Sequence, residues 1–194
     1  VVRERKMNLG ELISAVDANF EGYERILALC RKADKYGIDT ELSNAHVKRI
    51  TDRVSRLVIE KSRPYFERER LFLMPSIQSD TWHLKYGEQY GATVNGRLAH
   101  TAFSQNTNPT NGAAREGVTA MLNSMLNITQ GGFVSGALNL DIDLKDFEGE
   151  SGHARFAALL ATYFNRGGLH AQVSATDAER LKEAQLDPQS HRDI

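Results

Sequence analysis

One cysteine in 194 residues, Cys30, excludes an internal disulfide and a four-cysteine metal site. No apolar stretch approaches the roughly 18 residues of a membrane helix, and nothing resembles a secretory leader. Charge of one sign is also lacking: 24 basic against 25 acidic residues give no reason to expect a nucleic-acid or membrane partner. No Gly-x-Ser-x-Gly elbow, phosphate loop or dinucleotide fingerprint is present. The six histidines, at 46, 83, 100, 153, 170 and 191, lack the spacing of metal ligands, although folding could still bring His83, His100 and His153 together. The expectation is a protein of the reducing cytoplasm with no metal site and one buried, unreactive thiol at Cys30.

What is there reads as a sizeable core with an α/β order. The apolar content is 41%, enough for one domain. Residues 8–29 carry apolar positions at helical spacing, as one helix or as two broken near Gly22, closed by Lys35-Tyr36-Gly37. Residues 43–61 predict a second helix with Val47, Ile50, Val54, Leu57 and Val58 on one face and Pro64 beyond its end. Residues 63–70 alternate bases with acids, as a solvated surface does. Residues 71–84 alternate apolar with polar around Pro75 and predict a strand, with Thr81 and His83 on one side of it.

Residues 87–117, rich in Gly, Asn, Thr, Ser and Gln, read as a long ordered loop. Helices are expected at 118–128, 152–165 and 177–185, and strands at 133–144 and 169–175. Thr176 or Asp177 caps the last helix. Either Asn139 and Asp141 or Leu138 and Leu140 face inward on the first of those strands, and His170 and Gln172 share a side of the second.

Four motifs punctuate this order. Ser79-Asp80-Thr81-Trp82-His83-Leu84-Lys85-Tyr86-Gly87 comes first, then Gly91-Ala92-Thr93-Val94-Asn95-Gly96-Arg97. Asn108-Pro109-Thr110-Asn111-Gly112 follows and leads into Gly117-Val118-Thr119-Ala120-Met121-Leu122-Asn123-Ser124, where Thr119 could cap the helix and Ser124 could bond back to its backbone. The last is Gly167-Gly168-Leu169-His170-Ala171-Gln172-Val173, continued by Asp177, Leu181, Ala184, Pro188 and Arg192-Asp193.

In order and spacing these motifs resemble the closing part of glycyl radical enzymes of the pyruvate formate-lyase type. There the corresponding segments read Ser-x-x-x-His-x-Pro-x-Gly, Gly-x-x-Pro-Asp-Gly-Arg, Ser-Pro-x-x-Gly with Gly-Pro-Thr-Ala-x-Leu-x-Ser, and Gly-Gly-x-His-x-Gln. Lys85, Val94 and Asn95 depart from that pattern, and so does Gln105-Asn106-Thr107, where many members carry acidic and glycine residues. The resemblance implies part of a ten-stranded α/β barrel, with residues 1–70 as a helical pair at its entry and 71–194 as strand–helix units.

The same resemblance implies that the chain ends before an Arg-Val-x-Gly-Tyr loop whose glycine stores the radical. The opening Val1-Val2-Arg3, without an initiator methionine, fits a piece of a longer polypeptide or a processed one. The catalytic cysteine would lie upstream, so no catalytic residue is expected in this segment, which alone would be inactive. The radical would be installed by a separate activating enzyme that uses S-adenosylmethionine and an iron–sulfur cluster. The full-length protein would be a homodimer acting on a small molecule as a formate acetyltransferase, dehydratase, decarboxylase or lyase. A barrel fragment that pairs with a complementary chain is the alternative. Thr81, His83, Asn139 and Asp141 are candidates for the substrate cavity, and His170 and Gln172 for support of the radical loop.

Overall fold

The computed structural model describes residues 4–128, 130–133 and 136–191. Val1-Val2-Arg3, Arg192-Asp193-Ile194 and part of the strand expected at 133–144 lie outside them.

The first region holds α1 (Leu9–Asp17) and α2 (Glu24–Lys32), so the two-helix alternative is the one observed. Asn8 opens α1 through a capping box, its side chain accepting from the Glu11 N–H while the Glu11 carboxylate accepts from its own. Asn19 and Phe20 at positive φ, then Gly22, turn the chain between the helices. Leu12, Ala15, Phe20, Ile26 and Cys30 close into one small core. Burial raises the Cys30 pKa, which keeps the thiol protonated and apolar in behaviour.

The third helix, α3 (Glu41–Glu69), makes three helices where a pair was expected, and it passes through Pro64 instead of stopping before it. Proline removes one helical donor, but the helix continues for one more turn and closes on Arg70 in the left-handed conformation. Its buried stripe is Ser43, Thr51, Ser55 and Ser62, and the expected apolar face is only partly covered: Ile50 and Val54 are exposed, while Val47, Leu57 and Val58 are half-buried. Small side chains let α3 lie close to its neighbour, where the Ser55 hydroxyl donates to the Gly132 carbonyl at 3.0 Å.

The strand expected at 71–84 is not formed. Among the described residues one isolated bridge, Ile77 to Gly136, is the pairing it makes, and α4 (Trp82–Gln89) begins directly after Thr81. Trp82 and Tyr86 stack at 5.4 Å with the four-residue separation of a helix face, and Lys85 sits over the Trp82 ring. Thr81 and His83 are therefore not a strand pair; Thr81 precedes the helix and His83 lies in its first turn.

The remaining units follow the expected order: α5 (Val118–Met125), β1 (Ala137–Asp143), α6 (Gly149–Asn165), β2 (His170–Thr176) and α7 (Ala178–Leu186). β1 and β2 are parallel neighbours joined through α6, with Asn139 opposite Gln172 and Ala137 opposite His170. A crossover of this kind lays its helix on one sheet face. There Leu138 and Leu140 are fully buried against Met121, Leu122, Met125 and Tyr163. Gly167 at positive φ ends α6, and Gly168 lies so close beneath Tyr163 that an added Cβ would sit 2.3 Å from its ring. Of the two proposed caps for α7 it is Asp177 that acts, accepting from the Glu179 N–H at 2.8 Å and pairing with Lys145 at 3.1 Å.

The core is one-sided. Ile50, Val54, Tyr65, Phe66 and residues 71–73 expose large apolar side chains, and β2 is mostly exposed along its length.

Candidate functional site: the open face of the parallel pair

Alternation along β1 sends Leu138 and Leu140 under the helices, so Asn139 and Asp141 face the other side of the sheet. In the parallel register Gln172 stands beside Asn139, and His170 and Ser174 share that polar face.

Asn139 is the junction of this face. Its side-chain carbonyl accepts from Asn106 Nδ2 at 2.8 Å, and its own Nδ2 donates to Gln172 Oε1 at 3.2 Å. Asn106 is held in turn by Ser79, whose backbone N–H donates to Asn106 Oδ1 at 2.8 Å and whose hydroxyl accepts from the Asn106 N–H at 2.9 Å. One residue from each of four separated segments thus meets in a row.

The loop motif lies along the edge of β1 and supplies what a neighbouring strand would. Asn108 Nδ2 donates to the Asn139 carbonyl at 2.7 Å and Asn108 Oδ1 accepts from the Asn139 N–H at 2.8 Å. The Thr107 N–H donates to the Ala137 carbonyl at 3.1 Å, and its hydroxyl donates to the same oxygen at 2.5 Å. Pro109 then packs on Gly37, at φ +107°, where a Cβ would lie 2.5 Å from the proline ring.

Tyr36 reaches the same loop and donates to the Thr107 carbonyl at 2.9 Å. Burial raises its pKa well above the ordinary phenol value near 10.0, with the neighbouring Tyr163 as a second, smaller cause. The unfolded chain therefore ionises first, and the stability tied to this tyrosine is complete below about pH 10 and falls as pH climbs towards the folded value. Urea titrations from pH 8 to 11 should show that loss, and Tyr36→Phe should flatten it while costing about 1 kcal/mol at pH 8 through the lost hydrogen bond.

The other expected site residues scatter. His83 Nδ1 faces the Asp80 carbonyl at 2.7 Å; a carbonyl only accepts, so Nδ1 holds the proton and Nε2 is the acceptor of the neutral ring. With Ser79, Trp82, Tyr86 and Phe103 it lines a cavity of about 390 Å³ at the start of the polar row. Asp141 and His170 share the polar face and are exposed. Thr119 does not cap α5; Gly117, at φ +87°, holds the cap position, and Thr119 lies inside the first turn. The bond that Ser124 makes among the described residues is not to its own helix: its hydroxyl accepts from the Asp39 N–H at 2.9 Å. Gly112 takes positive φ in the turn after Pro109. Among the described residues no group of three His, Cys, Asp or Glu side chains could hold a metal, and no helix is long and apolar enough to cross a membrane.

The Gly91 to Arg97 motif is a structural staple. Arg97 is buried, donates to the carbonyls of Thr101 and Gly91, and stacks on Phe103 at 4.1 Å. Asn95 ties it to the loop motif by donating to the Thr110 hydroxyl at 3.1 Å. Sequence reasoning passed over Ser79 as a partner, Asn106 and Tyr36. For Asn106 a signal existed: asparagine in a loop where the pattern favours glycine, at a position that proves to have φ +49°.

Residues 1–87 match the pyruvate formate lyase-like family, and residues 103–194 the glycine radical family. The chain is 33% identical over its whole length to the trans-4-hydroxy-L-proline dehydratase of Clostridioides difficile, covering 24% of that protein. It is 30% identical to the isethionate sulfite-lyase of Bilophila wadsworthia, again over its whole length and covering 23% of the relative. It thus spans about a quarter of the length of these curated relatives. The crystal structure of the hydroxyproline dehydratase from C. difficile with its substrate bound superposes with TM-score 0.85 at 30% identity, over 98% of this chain and 24% of that one. The B12-independent glycerol dehydratase from Clostridium butyricum shares the fold, with TM-score 0.85 at 24% identity over 100% of this chain and 24% of that one. Two family matches in tandem, placed on the segments that build the polar face and its support, show that this chain belongs to the glycyl radical enzymes.

Proposed function

We propose that the chain forms the C-terminal wall of a pyruvate formate-lyase-like barrel in an enzyme that cleaves or forms a C–C, C–O or C–N bond of a small organic substrate by radical chemistry. Residues 1–70 would be its helical entry and 71–194 its strand–helix units, with the radical glycine beyond Ile194. The observation that carries this reading is the polar face of β1 and β2, assembled from three of the four motifs and walled from behind by α5 and α6. The open edge of β2 and the exposed apolar side chains of α3 and residues 71–73 support a larger enclosing structure.

When present, the glycyl radical supplies hydrogen abstraction through a cysteine thiol. This chain's part is to bind, orient and exclude water. Asn139 and Asp141 would line the cavity and His170 and Gln172 would hold the radical loop, with Thr81 and His83 at the rim. An activating enzyme that uses S-adenosylmethionine is the required partner, and a homodimer the expected assembly. The names of the relatives favour elimination from a hydroxylated or sulfonated substrate over acyl transfer.

Anaerobic co-expression of the whole reading frame with a radical-activating enzyme should yield the glycyl doublet in electron paramagnetic resonance. A reading frame with no cysteine loop upstream and no glycine loop downstream would replace this reading with that of a non-catalytic pairing module.

A further inference from the structure

The row of amides on the polar face has a direction, and one atom sets it. A backbone N–H can only donate, so the Asn106 atom facing the Ser79 N–H at 2.8 Å is the carbonyl oxygen. Asn106 must then turn its NH2 towards Asn139, which receives it on Oδ1 at 2.8 Å. Asn139 turns its own NH2 to Gln172, which receives it on Oε1 at 3.2 Å. Gln172 is left with its NH2 pointing onwards, without a hydrogen-bond partner among the described residues. Each amide dipole is aligned with the previous one, which strengthens the donor at the end of the row.

The anchor is itself held in place. Asn106 has φ +49°, a conformation that asparagine tolerates better than other residues with a side chain, and its own N–H is tied to the Ser79 hydroxyl at 2.9 Å. Asn139 cannot drift because Asn108 grips both its backbone N–H and its carbonyl. The row is braced at two of its three amides.

We infer that Gln172 is a positioning residue that presents a hydrogen-bond donor of fixed orientation to the open face, and that it recognises an acceptor oxygen there. This rests on the function proposed above. The oxygen belongs either to the substrate, as a carboxylate, carbonyl or hydroxyl, or to a backbone carbonyl of the radical loop. An amide free to rotate would accept donors and acceptors alike; the fixed row discriminates against a ligand that offers only donors.

Three substitutions in the full-length enzyme separate orientation from mere presence. Gln172→Glu still accepts from Asn139 but turns an acceptor outward. Asn139→Asp accepts from Asn106 and forces Gln172 to flip, so the outward atom becomes an oxygen with Gln172 itself unchanged. Asn106→Gly suits the positive φ and only frees the row.

The first two should each lower either kcat/KM or glycyl radical content at least 10-fold, and Asn106→Gly by no more than about 3-fold. Loss in kcat/KM through a raised KM at wild-type radical content places the acceptor on the substrate; loss of radical content places it on the loop. Both reversal variants within 2-fold of wild type on both readouts, or Asn106→Gly as damaging as Asn139→Asp, would overturn the inference. Neutron diffraction of the wild-type protein tests the row without any activity: deuterons on the Asn106 and Asn139 amides directed along the row are expected, and the opposite assignment at Asn139 would end the proposal. Failure of the wild type to take up a radical would count against the proposed function and leave the neutron result standing on its own.

Discussion

Leu140→Ala is expected to destabilise the protein by about 3 kcal/mol, the range for removing a fully buried leucine from a site that cannot collapse. Leu140 has no exposed surface, and the helices above it contribute Met121, Leu122, Met125 and Tyr163 to the same cluster. Collapse is blocked because α6 is held at both ends of its crossover. At its start an added Cβ on Gly152 would lie 2.3 Å from the Phe147 backbone, and its last turn meets Gly168 directly under Tyr163, after which the parallel register fixes where β2 begins. Val173 makes the contrast: it lies on the same apolar side of the sheet but is 41% exposed in this chain, so Val173→Ala should cost less than about 1 kcal/mol. Chemical denaturation of both variants checks the pair. Equal losses would mean that β2 is as enclosed as β1.

Much of this architecture was legible from spacing alone. Gly167-Gly168 marked where α6 stops, the Leu138 and Leu140 alternation marked a strand with one apolar side, and the order of elements implied the parallel crossover that β1 and β2 make. What failed had physical causes. Residues 71–81 alternate as a strand would but stay irregular with one isolated bridge, and from Trp82 onward the stacking of its ring on Tyr86 favours a helix. Pro64 reads as a stop, yet the helix absorbs the lost donor.

The polar face shows the same division. Asn139 was legible as one of two alternating pairs on its strand, and Gln172 as sharing a side of the next strand with His170. Their meeting was not legible, because it depends on a register between strands 33 residues apart. Asn106 and Ser79 were further out of reach, since their bond joins two loops with no periodicity to read.

The second large effect is expected at Asn108, and the isosteric change should do at least as much harm as truncation. Asn108 both donates to and accepts from the backbone of Asn139, at 2.7 and 2.8 Å, which only a group with one donor and one acceptor can do. Asn108→Ala leaves an N–H and a carbonyl of β1 without partners at a partly buried edge, a loss of about 2 kcal/mol. Asn108→Asp keeps the shape but at neutral pH sets a carboxylate oxygen against the Asn139 carbonyl. A protonated aspartic acid regains both roles, one oxygen accepting and the hydroxyl donating, so its pKa in the folded protein must be raised above the unfolded value of about 4. The stability it restores is then full below about pH 4 and is lost as pH rises through the folded pKa. Melting curves should show Asn108→Asp at or below Asn108→Ala at pH 7 and above it near pH 4. Aspartate matching the wild type at pH 7 would mean that the loop does not hold β1 in the way these distances indicate, and with it would go the bracing that gives the polar row its direction.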